Sequence, residues 1–155
     1  IFVSSEAHRS APDPDARAPF RVPRYGMSGS MRYYGYSKLL LTSFTEELSR
    51  RLNPAGVGTR TSIFALCPGA MRTNIAREAP ALLRPLLSLV FALLFPSPRQ
   101  AVEPVTYLAA SRELEGETGL YLHLMTRKRK DPRALDADLG SEIWQRSEEM
   151  LRHYL

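Results

Sequence analysis

Apolar residues along this chain fall into a few runs of distinct period, and those runs predict its elements. Ile1-Phe2-Val3 is a β-branched and apolar start ending in two hydroxyls, Ser4 and Ser5, which predicts a strand over 1–5. Residues 10–30 hold four Pro, two Gly and three Ser with no apolar period, so they predict a long loop. From Met31 to Leu52, Leu39, Leu40, Leu41, Phe44, Leu48 and Leu52 recur at helical spacing and predict a helix over 31–52. Asn53-Pro54-Ala55-Gly56 ends that helix, and 58–66 then predicts a second strand. A further helix is expected over 98–112, with Ser97 as N-cap and Pro98 in its first turn. A last strand is expected over 119–124 and a closing helix over 141–154, bearing Trp144. Strand, helix, strand in that order implies α/β architecture, a right-handed crossover and parallel neighbours.

One stretch of the first helix carries chemistry. Tyr34-Gly35-Tyr36-Ser37-Lys38 sets a phenol and an ammonium four residues apart, hence on one helix face. An ammonium that close favours the phenolate, and a tyrosine tuned that way can give or take a proton near neutral pH. Tyr33 and Tyr36 compete for the role, but neither has a Lys four residues on, so they are expected to pack or to face a substrate.

In order, the chain has a strand ending in Ser5, a helix carrying Y-x-x-S-K, and a strand running into Cys67-Pro68-Gly69-Ala70-Met71-Arg72-Thr73. This set resembles the C-terminal half of a short-chain dehydrogenase/reductase. Ser4-Ser5-Glu6-Ala7-His8-Arg9 and the long Ser-to-Tyr insert look most like its retinol dehydrogenase and WW-domain oxidoreductase branch. The resemblance implies the C-terminal part of a Rossmann-like, doubly wound parallel sheet and an oxidoreductase that uses NAD or NADP to interconvert an alcohol and a ketone or aldehyde. By that match Ser5 would hold the substrate oxygen and Tyr34 would be the acid/base. Lys38 would tune Tyr34 and bind the nicotinamide ribose hydroxyls, while Pro68, Gly69 and Thr73 would line the nicotinamide side of the cofactor. In this family the Tyr-bearing helix often forms a dimer interface, which implies a homodimer through 31–52.

Ala81 to Phe95 is nearly all apolar, and at about 14 residues it falls short of the roughly 20 that a bilayer-spanning helix needs. The resemblance makes 80–96 a substrate lid, and a greasy lid suits a lipophilic substrate. A plain core helix and an interfacial membrane anchor are the alternatives. Family members also open with a T-G-x-x-x-G-x-G turn and later carry N-A-G, and neither is in this sequence. Residues 1–155 are therefore expected to be the C-terminal half of one NAD(P)-binding domain. The alternative is a truncated, non-catalytic form acting as an interaction or dimerisation module.

Composition narrows the field little further. Hydrophobic residues make up 44% and charged residues 24%, ordinary for a globular domain. The single cysteine, Cys67, rules out an internal disulfide and fits a reducing compartment, the cytoplasm or the cytoplasmic face of a membrane. It is expected to be a buried strand-end residue. The net charge of +5 is spread along the chain except at Arg127-Lys128-Arg129-Lys130. That run reads as a solvated turn, with an anionic membrane surface as the alternative, and nucleic acid is not expected as a partner. Gly26-Met27-Ser28-Gly29-Ser30 lacks the last Gly of a nucleophile elbow. His8, His123 and His153 have no metal-type spacing, so no metal is expected; they read as loop, strand and tail residues.

Overall fold

The strands are short because the backbone at their margins is claimed by other partners. The computed structural model describes residues 1–15, 17, 19, 20, 29–69, 102–152 and 154. Strand β1 is Phe2–Val3, shorter than the expected 1–5. Ser4 still donates from its backbone to Leu66 at 2.7 Å, but Ser5 leaves the sheet to cap a 3-10 turn, Glu6–Ser10. Strand β2 is Phe64–Cys67, not 58–66. Asn53 explains the late start: its side-chain oxygen accepts from the backbone N–H of Arg60 and Thr61, and its amide donates to the Thr61 carbonyl. Strand β3 is Leu120–His123, ended by Leu124 in a left-handed conformation (φ 53°), and a short antiparallel β4, Thr126–Arg127, follows that the sequence pattern did not predict.

The sheet order is β1-β2-β3-β4, with β1 parallel to β2 and β2 parallel to β3. Helix α1, Ser30–Leu52, joins β1 to β2 as expected. Helix α2 is Val102–Ala110; the expected cap at Ser97 and Pro98 and the 80–96 segment lie outside the described residues. Helix α3, Ala137–Leu151, begins earlier than 141 because Asp136 caps it, accepting from the N–H groups of Asp138 and Leu139. Four mostly parallel strands with three helices among the described residues make a partial Rossmann-like α/β fold.

Alternation along the strands divides the core. Phe64, Leu66 and Leu122 pack with Leu108 of α2 and with Leu114, while Ala65, Cys67 and Tyr121 form a second cluster. On α1 the buried side differs from the predicted leucine stripe. Thr42, Ser43, Thr45 and Ser49 are buried beside Leu39, whereas Leu40, Leu41 and Leu48 are half-buried and Leu52 is exposed. Three of these hydroxyls donate to the carbonyl four residues back, so their burial leaves no unsatisfied donor. Phe44, on the leucine side, stacks on Trp144 of α3 with ring centroids 5.4 Å apart, and Arg51 lies over the same indole.

Candidate active site at the carboxyl ends of the parallel strands

Ligands of open parallel sheets sit outside the carboxyl ends of the strands, and the candidate residues gather there. Ser5 lies two residues past β1 and is the N-cap of the Glu6–Ser10 turn, where its Oγ accepts from the Ala7 N–H at 3.2 Å. That bond uses a lone pair and leaves the hydroxyl proton for another acceptor. The Glu6 N–H donates to Cys67 Sγ at 3.3 Å, tying the end of β1 to the end of β2 and so to Pro68-Gly69. Cys67 is buried, as expected for a strand-end thiol. Gly69 has φ +76°, and a Cβ there would meet Leu124 Cδ2 at 2.9 Å, so the turn after β2 needs glycine.

Helix α1 is drawn onto the Ser5 turn at Gly35, the residue after Tyr34. A Cβ at Gly35 would stand 2.5 Å from the Ala7 carbonyl oxygen, a distance no side chain tolerates. Lys38 Nζ donates to the Val3 carbonyl at 2.9 Å and lies 5.6 Å from the centre of the Tyr34 ring. Ser4 and Thr42 join their hydroxyls at 2.8 Å behind it. Tyr34 is 45% exposed and lines a cavity of about 650 Å³ with Tyr33, Leu40, Phe20 and Met150. Lys38 thus links the end of β1 to Tyr34, while Ser5 follows β1 and Pro68-Gly69 follow β2; Thr73 lies outside the described residues. Tyr36 is buried and donates to the Pro19 carbonyl at 2.6 Å, a packing role as expected.

Beneath these residues lies a polar cluster that sequence reasoning missed. His8, expected as a loop residue, is fully buried. Its Nδ1 lies 2.6 Å from the Ser5 carbonyl, and its Nε2 accepts from the Asp131 N–H at 3.2 Å. Nε2 can accept only when unprotonated, so the proton sits on Nδ1, the imidazole is neutral and Nδ1 donates to Ser5. Burial holds its pKa below the usual histidine value, against the pull of the Ser5 carbonyl. Glu6 takes a hydrogen bond from Tyr121 at 2.7 Å and one from Lys128 at 3.0 Å. Burial disfavours its carboxylate, yet these bonds and the charges of Arg9 and Lys128 outweigh that and bring its pKa down to about 2. Burial and the bond to Glu6 push the Tyr121 phenol far up. The basic run is likewise built into the fold rather than solvated throughout. Arg127 pairs with Glu117, Lys128 with Glu6, and buried Lys130 with Glu46.

A mostly parallel sheet of this kind is the frame of a partial Rossmann-like α/β fold. The chain's homologues are short-chain dehydrogenases/reductases, as the motifs implied. It is 37% identical to retinol dehydrogenase 14 from Homo sapiens over 120 residues, 76% of this chain and 34% of that protein. It is 38% identical to retinol dehydrogenase 13 from Mus musculus over 118 residues, 74% of this chain and 34% of that protein. WW domain-containing oxidoreductase from Homo sapiens is 32% identical over 163 aligned residues, covering 100% of this chain and 37% of that protein. The chain therefore spans about a third of the length of these curated relatives. No protein-family profile matches it. Among the described residues no helix is long and apolar enough to cross a membrane.

Proposed function

We propose that this chain is the acid/base half of an NAD(P)-dependent oxidoreductase that interconverts an alcohol with an aldehyde or ketone. The observation that carries the proposal is the close approach of Gly35 to Ala7, which sets Tyr34 and Lys38 of α1 beside the turn capped by Ser5. In the reducing direction Ser5 donates its free proton to the carbonyl oxygen and fixes it, and Tyr34 delivers the proton that completes the alcohol. In the oxidising direction Tyr34 takes that proton back. Lys38, anchored on the Val3 carbonyl, holds its ammonium 5.6 Å from the centre of the phenol ring. A nicotinamide cofactor fits this donor set at its ribose end, where Lys38 and Tyr34 present hydroxyl-binding groups. The bound cofactor supplies or accepts the hydride. Its pyrophosphate needs a Gly-rich turn, which these 155 residues do not contain, so activity is proposed for the product of the full reading frame that carries this chain.

A lipophilic substrate is supported by the cavity beside Tyr34, bounded by Phe20, Leu40 and Met150, and by the names of the retinol dehydrogenase relatives. The test is turnover of retinaldehyde with NADH or NADPH by the full reading-frame product, unmodified and as Tyr34→Phe. The expected result is cofactor-dependent reduction that the substitution abolishes while cofactor affinity stays near normal. Retained reduction in Tyr34→Phe sinks the assignment. A second reading, a dimerisation module, is favoured by Leu41, which is left half-buried on α1; it needs no turnover, only a dimer that Leu41→Glu dissolves.

A further inference from the structure

We propose that His8 is a positioning residue for Ser5, setting the direction of the Ser5 hydroxyl from beneath the site. The proposal rests on the oxidoreductase reading given above. His8 makes two bonds of opposite sense: its Nδ1–H holds the Ser5 carbonyl at 2.6 Å, and its Nε2 is held by the Asp131 N–H at 3.2 Å. The Ser5 peptide is thereby clamped to the segment after β4, more than a hundred residues away in sequence. Asp131 is itself fixed by Arg133, whose guanidinium bridges both Asp131 oxygens and the Ala11 and Arg9 carbonyls. The imidazole meets the Tyr121 ring in a T-shaped contact, with centroids 5.3 Å apart.

The Ser5 carbonyl also accepts the His8 backbone N–H at 3.1 Å, and the restraints on the side chain and next peptide of Ser5 are weaker. Its own cap bond to Ala7 is 3.2 Å long, and the next peptide is held by a thiol sulfur at 3.3 Å, a weak acceptor. Without the side-chain bond the Ser5 carbonyl keeps only the His8 backbone N–H at 3.1 Å, so the turn can tilt and carry the Oγ with it. A shift of about 1 Å at such a group costs on the order of a hundredfold in rate. Protonation of Nε2 breaks the bond from Asp131 and leaves the Nδ1–H bond to Ser5 in place. The charged groups facing His8 are Glu6 and Arg9 on its own turn and Asp131 with Arg133 from the segment after β4; Tyr121 faces it from β3, and α1 meets the turn through uncharged Gly35.

Two substitutions separate the two bonds. The His8→Asn amide reaches only the Nδ1 position and keeps the donor to Ser5, whereas His8→Gln reaches the Nε2 position and keeps the acceptor for Asp131. In the full reading-frame product, with retinaldehyde and NADH or NADPH, we expect His8→Gln to lower kcat by about ten- to a hundredfold with KM little changed. His8→Asn is expected to stay within about threefold. Equal kcat in both variants overturns the proposal. The unmodified enzyme gives an independent reading, needed if both variants fail to fold. Protonation of His8 at low pH costs the bond from Asp131 and keeps the Nδ1–H on Ser5, as His8→Asn does, so it should by itself change kcat by no more than about threefold. A one-proton fall in kcat of about tenfold or more below pH 6.5 that Ser5→Ala does not share would put the effect on the Asp131 bond and overturn the proposal. Ser5→Ala is the control: if it retains full turnover, the Ser5 role falls and this inference with it, whereas an inactive Ser5→Ala with unaffected His8→Gln sinks this inference alone.

Discussion

Gly35 and Ala7 meet so closely that a Cβ on Gly35 would lie 2.5 Å from the Ala7 carbonyl oxygen. The glycine inside the Tyr34–Lys38 motif is therefore a contact residue between α1 and the Ser5 turn. Alanine there gains up to about 1 kcal/mol of helix propensity but pushes the helix off rigid backbone. We expect Gly35→Ala to lose about 1–3 kcal/mol net, read from a lower urea midpoint at unchanged slope. An unchanged or higher midpoint would show that the turn yields.

Glu6 gives the fold an acid limit. Its pKa is brought from 4.5 to about 2, so the stability it adds is present in full above about pH 4.5 and is lost as pH falls through about 2. His8, held below its ordinary value of 6.5, adds stability that is full above pH 6.5 and falls away below it. Glu6→Gln should shrink the fall of the urea midpoint between pH 4.5 and 2, leaving the part carried by Glu47 and Asp131, and leave the step below 6.5 in place. A lower limb undiminished in Glu6→Gln would mean that Glu6 does not carry it.

Tyr121→Phe tests the same cluster from β3. The ring and its contact with His8 stay, and only the hydroxyl on Glu6 is lost. A hydrogen bond to a charged group contributes about 1.5–3 kcal/mol, and equilibrium unfolding at pH 7 should show a loss in that range. The loss should shrink near pH 2, where Glu6 is half protonated.

The chemistry of this site was legible in the sequence to the extent that it is local. Tyr34 and Lys38 share a helix face by their spacing alone, and the Ser5 and Pro68-Gly69 strand ends follow from element order. The cluster beneath was not legible, because Glu6 meets Tyr121, and His8 meets Asp131, across more than a hundred residues of chain. No period in the sequence marks such pairs. The buried side of α1 was misjudged for another reason. Hydrophobic periodicity assigns burial to leucine, whereas Thr42, Ser43 and Thr45 satisfy their hydroxyls on the helix's own carbonyls and pass as small core residues. Lys130 was read as solvated because a basic run usually is; its burial depends on Glu46, 84 positions earlier.

That ion pair makes a double-mutant test. Burial pushes the Lys130 pKa down while Glu46 pulls it back, and the ammonium also donates to the Gly119 carbonyl. Glu46→Gln leaves a buried charge without its counterion and should cost about 3 kcal/mol or more. Glu46→Gln with Lys130→Met should be markedly less harmful than Glu46→Gln alone, as measured by a denaturation cycle. Additive losses would mean that the two charges are solvated independently.

Residues 1–155 made alone should self-associate. In the described sheet β1 pairs only with β2, and Ile1 and Val3 are 46% and 52% exposed. An open strand edge with apolar neighbours recruits another chain. Sedimentation at micromolar concentration should show oligomers or precipitate, and a monomer with a sharp cooperative melt would contradict this.

The Phe44–Trp144 stack has a practical consequence. Trp144 is the only tryptophan in the sequence, and it sits where α3 closes over α1, with Arg51 on its face and Glu148 on its ring nitrogen. Its emission therefore reports one event without contribution from any other indole: the seating of the last helix on the helix that carries Tyr34. The chain contains its own optical gauge of whether the acid/base helix is in place.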